Sequence, residues 1–199
     1  MNRRAAKRPK LDASYIASRL KFAREYRNFN WRRRMVKFSN ECSVQRGSGR
    51  QAEWSFRFPH EKYDPKMITE REKGKPMSQM VWASIWVTRN SQVGRSPLII
   101  MERDPDSPRN GYSAKSYLKT LEEGLLPNYR PGDAFVQDNA LIYKSAAVKD
   151  FLEDHGIWTL EWPAICPDLN PIEHMWWALK KTVHKLHPEL ITIGKSEED

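Results

Sequence analysis

The order of elements in this sequence predicts an α/β layer fold, with strands first and then helices alternating with short strands. Three observations carry that prediction. Residues 35–44 alternate strictly, the runs 80–87 and 97–101 are apolar and bounded by breakers, and helical stretches over 113–126, 144–155 and 172–186 enclose two further short strand-like runs. A chain of 199 residues and 23.4 kDa is long enough for one domain with a core and an appendage.

Composition excludes several classes. Hydrophobic residues make up 39% and charged residues 30%, with mean hydropathy −0.77, yet eight Trp, seven Tyr and seven Phe supply large apolar bodies, which argues against wholesale disorder. No run approaches the ~18 apolar residues of a membrane span. The N-terminal MNRRAAKRPK has the charge of a signal peptide without the apolar stretch behind it. Cys42 and Cys166 are far apart and outside any CxxC, which supports neither a disulfide scaffold nor a cysteine zinc site. A reducing compartment, cytosol or nucleus, is expected.

The net charge of +9 is unevenly spread. Residues 1–37 hold 13 Lys/Arg against Asp12 and Glu25, so 13 − 2 = +11, and residues 38–199 hold 21 against 23, so 21 − 23 = −2. A basic arm therefore precedes a nearly neutral body. Within the arm, 14–29 reads as a helix with Ile16, Leu20, Ala23 and Tyr26 on one stripe and Arg19, Lys21, Arg24 and Arg27 around it. Two readings stay open: an arm against a polyanion, or a helix docked on the body with a solvated cationic face.

In the body, Val36, Phe38, Asn40, Cys42 and Val44 point to one side of the first strand, and Lys37, Ser39, Glu41 and Ser43 to the other. Asn40 is the polar intruder on the apolar side. Arg46-Gly-Ser-Gly-Arg50 is a turn signal, Glu53–Phe58 reads as a hairpin partner, and 59–77 as a charged, proline-containing surface loop. Asp104–Gly111 is a turn cluster, and Ser113 is the expected N-cap of the next helix. A short strand over 134–138 ends at Asp138-Asn139. The helix 144–155 stops at Gly156, and Ile157–Leu160 is the last strand. A proline-punctuated loop from Trp162 leads to the final helix, with Asn170 as its N-cap and Pro171 in its first turn.

Asp138, at the carboxyl end of a buried strand, lies where open α/β sheets gather ligand and metal sites. Glu173 sits in the first turn of the last helix. Each has an ordinary alternative: an Asx turn for Asp138, and a favourable macrodipole contact of about 0.3–1 kcal/mol for Glu173. Trp82, Trp86, Trp176 and Trp177 read as core rather than stacking platforms, although adjacent Trp176 and Trp177 cannot share one narrow stripe. His184 and His187 form a weak metal signal with no third ligand near.

Val136-Gln-Asp-Asn-Ala140 and the run from Trp162 through PDLNPIE to Trp176-Trp177 resemble the mariner-type (Tc/mariner superfamily) DDE transposases, with the fungal versions nearest. Lys37–Val44 followed by Arg46-Gly-Ser-Gly is similar to that family's first catalytic strand. The resemblance covers about 35–186. It implies an RNase H-like mixed sheet flanked by helices, in which three carboxylates hold two divalent metals, Mg²⁺ or Mn²⁺, for phosphodiester cleavage and strand transfer on DNA. By position, Asp138 is the second acid and Glu173 the third, both catalytic and metal-binding. The first position is Asn40, a degenerate and weak ligand, so cleavage is expected to be impaired. Glu41 is on the wrong face to replace it. Tyr143 stands where many relatives carry His, Leu141 where Pro is common, and Cys166 where Ser is common.

The expected organisation is a basic arm over 1–34, an RNase H-like domain over 35–190 and a polar tail over 191–199. The arm resembles the linker that follows the family's helix-turn-helix modules, as in a catalytic core cut from its targeting apparatus. Expected partners are DNA, contacted by Arg3, Arg4, Lys7, Arg8, Lys10, Arg32, Arg33 and Arg34, and a second copy in a homodimer, with no membrane. Lys7-Arg-Pro-Lys10 also reads as a nuclear localisation signal. The alternative is a decayed or domesticated remnant that binds nucleic acid without cutting it.

Overall fold

A computed structural model describes residues 12–31, 34–45, 78–88, 90–107 and 110–188. The expected partner strand at Glu53–Phe58, the loop 59–77, the lead up to Leu11 and the tail 191–199 lie outside the described residues. The chain divides into two compact units, Met1–Cys42 with Met80–Met175, and Ser43–Gln79 with Trp176–Asp199.

Six strands form one mixed sheet: β1 (Val36–Gln45), β2 (Ser78–Val87), β3 (Val93–Arg95), β4 (Ile99–Ile100), β5 (Ala134–Val136) and β6 (Trp158–Thr159). The order is β3-β2-β1-β5-β6, with β4 also on β2. β1 pairs parallel to β5 with Val36 opposite Ala134, and β5 pairs parallel to β6, whereas β3 and β4 run antiparallel to β2. Among the described residues the α-helices are α1 (Ala13–Glu25), α2 (Ala114–Thr120), α3 (Ala146–Asp154) and α4 (Ile172–Leu186).

The period of two divides the core. Phe135 of β5 joins Trp82, Tyr117, Leu121, Val148 and Leu152 under α2 and α3. Its neighbours Ala134 and Val136 join Val36, Leu160 and Trp162 on the other face, with Phe22, Tyr26 and Phe29 from α1 and the turn after it. Central strands covered on both faces carry buried residues at successive positions, as β1 does at Val36 and Lys37. Lys37 is 2% exposed; its Nζ lies 3.4 Å from Asp133 Oδ2 and 3.5 Å from the centroid of the Trp86 ring. Desolvation lowers the proton affinity of that ammonium, and the Asp133 carboxylate opposes the shift. A Cβ at Gly94 would fall 2.2 Å from Trp86 Nε1, so the glycine makes room for the indole.

Ser113 caps α2 as expected, its hydroxyl accepting from the Lys115 and Ser116 N–H groups. The segment predicted as one helix to 126 changes pitch: α2 ends at Thr120 and continues as a π turn, Leu121–Leu125, then a 3₁₀ turn, Leu126–Asn128. The cause is local. A Cβ at Gly124 would lie 2.4 Å from the Trp82 ring, so the glycine admits that indole to the core.

The stripe expected on α1 is corrected by the structure. Ile16 and Leu20 are 54% and 48% exposed, and the half-buried positions are Tyr15, Arg19, Phe22, Tyr26 and Phe29. These recur at spacings of four and three, so aromatic bulk rather than aliphatic character marks the docked face. Phe22 meets Trp162 edge-on at 5.0 Å, and Tyr26 and Phe29 extend the cluster. On α4, Trp176 is buried and Trp177 is exposed with Lys181 5.1 Å from its ring, as their adjacency requires. Among the described residues no helix is long and apolar enough to cross a membrane.

Candidate functional site

The carboxyl end of β5, the middle of β1 and the first turn of α4 converge on one cavity of about 320 Å³, lined by Asn40, Asp138 and Glu173 together with Asn139, Asn170 and the 162–167 loop. Sequence reasoning anticipated this meeting of three distant residues. Asp138 is exposed, and its Oδ1 accepts from the Ala140 N–H at 2.8 Å, so it closes an Asx turn and lines the cavity at once. Glu173 follows the Asn170-Pro171 start of α4: Asn170 Oδ1 accepts from Ile172 N–H at 3.4 Å, and Asn170 Nδ2 donates to Ser39 O at 3.0 Å, pinning the helix start to β1.

Asn40 touches Glu173 directly. Its Nδ2 donates to Glu173 Oε1 at 2.7 Å, and its Oδ1 accepts from the Glu41 backbone N–H at 2.8 Å. The partners fix the orientation of the amide: rotating it would set carbonyl oxygen against carboxylate and NH₂ against N–H. The position that the resemblance implies as the first acid thus presents a hydrogen-bond donor to the cavity, and its amide oxygen accepts from the next residue.

A pair of divalent cations requires convergent anionic oxygens. Two carboxylates, Asp138 and Glu173, line the cavity, and among the described residues no group of three or more His, Cys, Asp or Glu could hold a metal ion. The donor set does not fit the three-carboxylate, two-metal arrangement that the family resemblance implies. His184 and His187 add no metal group.

Glu41 lies on the other face of β1, as alternation predicts, and its surroundings went unseen in the sequence. Its carboxyl accepts from the Tyr143 hydroxyl, and burial pushes it up to about 7, with the Asp138 charge acting in the same direction and the Tyr143 bond against. Burial likewise raises the Tyr143 and Tyr117 phenols, whose rings lie 4.3 Å apart. Tyr117 in turn donates to Gln137, the residue before Asp138, at 2.8 Å.

Three polar clamps hold the loop that closes the cavity. Asn139 Nδ2 donates to Trp162 O at 2.5 Å, Asn170 holds the far end, and Arg19 of α1 grips the middle. Arg19 is bidentate to Asp168, at 2.9 and 2.6 Å, and also donates to Cys166 Sγ at 2.9 Å. Burial raises the Cys166 thiol, and Arg19 opposes it. Between the clamps Ile165 has φ +54°, a left-handed conformation unusual for a β-branched residue. The missed signal for Arg19 was a lone cation inside an aromatic stripe. Of the cations expected to meet DNA, Arg34 lies 4.8 Å from the Trp158 ring, and Arg3, Arg4, Lys7, Arg8, Lys10, Arg32 and Arg33 lie outside the described residues.

The family model described as DDE superfamily endonuclease matches residues 106–193. The Tc3 transposase of Caenorhabditis elegans is 27% identical over 187 residues, 94% of this chain and 53% of the relative. The Tcb2 transposase of Caenorhabditis briggsae is 29% identical over 181 residues, 87% and 61% respectively. The chain spans between half and about three fifths of the length of these two relatives. Among solved structures, a pre-cleavage Mos1 transpososome superposes with TM-score 0.59 at 16% identity, covering 98% of this chain and 60% of that one. A mariner Mos1 paired-end complex with Mg gives TM-score 0.59 at 18% identity, covering 100% and 56%. These likenesses show the fold. The family match, the Tc transposase relatives and the shared fold of the Mos1 structures all place the similarity of this chain among mariner-type DDE transposases.

Proposed function

We propose that this chain is a transposase-derived DDE domain that associates with DNA and in which metal-dependent phosphodiester cleavage is impaired. One observation carries the reading: Asn40, in the first acidic position, donates its amide to Glu173 instead of offering an anionic oxygen. Cleavage of a phosphodiester by this fold depends on charge neutralisation at the attacking and leaving oxygens, and a donor in the ligand set removes one of the anions that would gather the cations. The basic arm over 1–34 carries 12 − 2 = +10 once the buried Lys37 is set aside, and supports association with the DNA backbone that is salt-dependent and largely indifferent to sequence. One of the Mos1 structures with a similar fold is a paired-end complex with the left transposon end, which supports DNA as the partner class and a paired assembly. Lys7-Arg-Pro-Lys10 supports a nuclear location.

The test is nicking of supercoiled plasmid in Mg²⁺ and in Mn²⁺ by the native chain and by Asn40→Asp. The expected result is no nicking by the native chain and measurable nicking by the variant. Cleavage by the native chain at the rate of the variant would remove the impairment from the reading. Failure of both favours the second reading, a remnant that binds DNA and has lost cleavage for reasons beyond Asn40.

A further inference from the structure

We infer that the Asn40 carboxamide takes the place of a cation as the positioning group for Glu173, so that the candidate site of this chain is folded and held without divalent metal. The inference rests on the reading that Asn40 fills the first acidic position, and goes beyond it to what the substitution does for the fold.

Glu173 lines a cavity with Asp138, and its Oε1 is positioned by a hydrogen-bond donor rather than by a cation. The donor is present: Asn40 Nδ2 at 2.7 Å. The amide is itself held from the other side, because its Oδ1 accepts from the Glu41 N–H at 2.8 Å. A chain of two hydrogen bonds therefore runs from the β1 backbone through one side chain to the first turn of α4, and neither end requires an ion. An aspartate at 40 would reverse this. It would place a carboxylate against a carboxylate at hydrogen-bond distance, a contact that a proton or a cation must bridge. The absence of a three-residue metal cluster among the described residues is the complementary observation. Asn40 is on this account a positioning residue, not simply a lost ligand.

Thermal unfolding of the full chain, followed in EDTA, in millimolar Mg²⁺ and in millimolar Mn²⁺, tests this with Asn40→Ala and Asn40→Asp beside the native protein. The native Tm is expected to be the same in all three buffers. Asn40→Ala should melt about 5 °C lower, as expected for loss of a charge-assisted hydrogen bond in a domain of this size, and equally so in each buffer. Asn40→Asp should be lowest in EDTA and should recover with Mn²⁺, a metal response that a merely structural role would not create. A native Tm that rises with Mn²⁺ as much as that of Asn40→Asp overturns the inference, as does an Asn40→Ala Tm equal to the native one. Should Asn40→Asp not fold, the native and Asn40→Ala melts still decide it. Plasmid nicking by the native chain would break the functional proposal and leave these melts unaffected.

Discussion

The two faces of β1 treat charge in opposite ways. On the face under α2 and α3, Lys37 is buried and Glu41 half-buried, and each answers to a specific neighbour: Asp133 and Trp86 for the lysine, Tyr143 for the glutamate. Desolvation there pushes both groups toward their neutral forms. On the opposite face Asp138 is exposed, Glu173 is half-buried, and the residue between them is a neutral amide. Adjacent positions of one strand thus hold an acid whose proton affinity burial raises and an amide where the family resemblance implies an acid. The difference explains why Glu41 cannot stand in for Asn40: it is committed to another face and another partner.

The strongest way to sharpen the contrast is Glu41→Gln followed across pH. The folded-state carboxyl, at about 7, lies above its ordinary 4.5, so the native state holds the proton more tightly than the unfolded chain does. Native stability from this group is therefore full below about 4.5, falls as pH rises through 7, and is flat above that. The cost at pH 8 is about 3 kcal/mol by linkage. Glu41→Gln should remove that slope, with Tyr143, Tyr117 and Asp138 as the titratable groups facing it. Urea unfolding at pH 4.5 and pH 8 should show the variant gaining on the native chain only at the higher pH. Parallel curves for the two proteins would mean that the carboxyl is solvated.

Much of this contrast was legible before any coordinates. Alternation over 35–44 put Asn40 and Glu41 on opposite faces, and the QDNA and PDLNPIE runs brought Asp138 and Glu173 to one cavity. What stayed hidden depended on neighbours remote in sequence. The orientation of the Asn40 amide needs Glu173, 133 residues away. The approach of the Trp82 ring to Gly124, inside the π turn over Leu121–Leu125, joins residues far apart in the chain. On the docked face of α1 the sequence pattern reaches Tyr26 but favours Ile16 and Leu20 over the aromatic positions 15, 22 and 29, and the short β3 is too brief for a periodic signal.

A smaller effect is expected on the cavity side from Arg19→Ala. The Arg19–Asp168 pair is half-exposed, with side-chain exposures of 25% and 61%, so its loss should cost only about 0.5–1 kcal/mol. The local consequence should be larger than the global one, since the clamp holds a loop with a left-handed residue at Ile165. Hydrogen exchange should accelerate over 162–170 in the variant and remain unchanged in β5. Unchanged exchange in the loop would show that Asn139 and Asn170 suffice to hold it.

Manganese binding tests the central claim most directly, because it asks whether the cavity gathers a cation at all. Electron paramagnetic resonance of Mn²⁺ titrated with the full native chain should show the free-ion signal undiminished by this site. Asn40→Asp should remove Mn²⁺ from solution, and adding Glu173→Ala to that variant should return it. Stoichiometric capture of Mn²⁺ by the native chain, abolished by Asp138→Asn, would contradict the account.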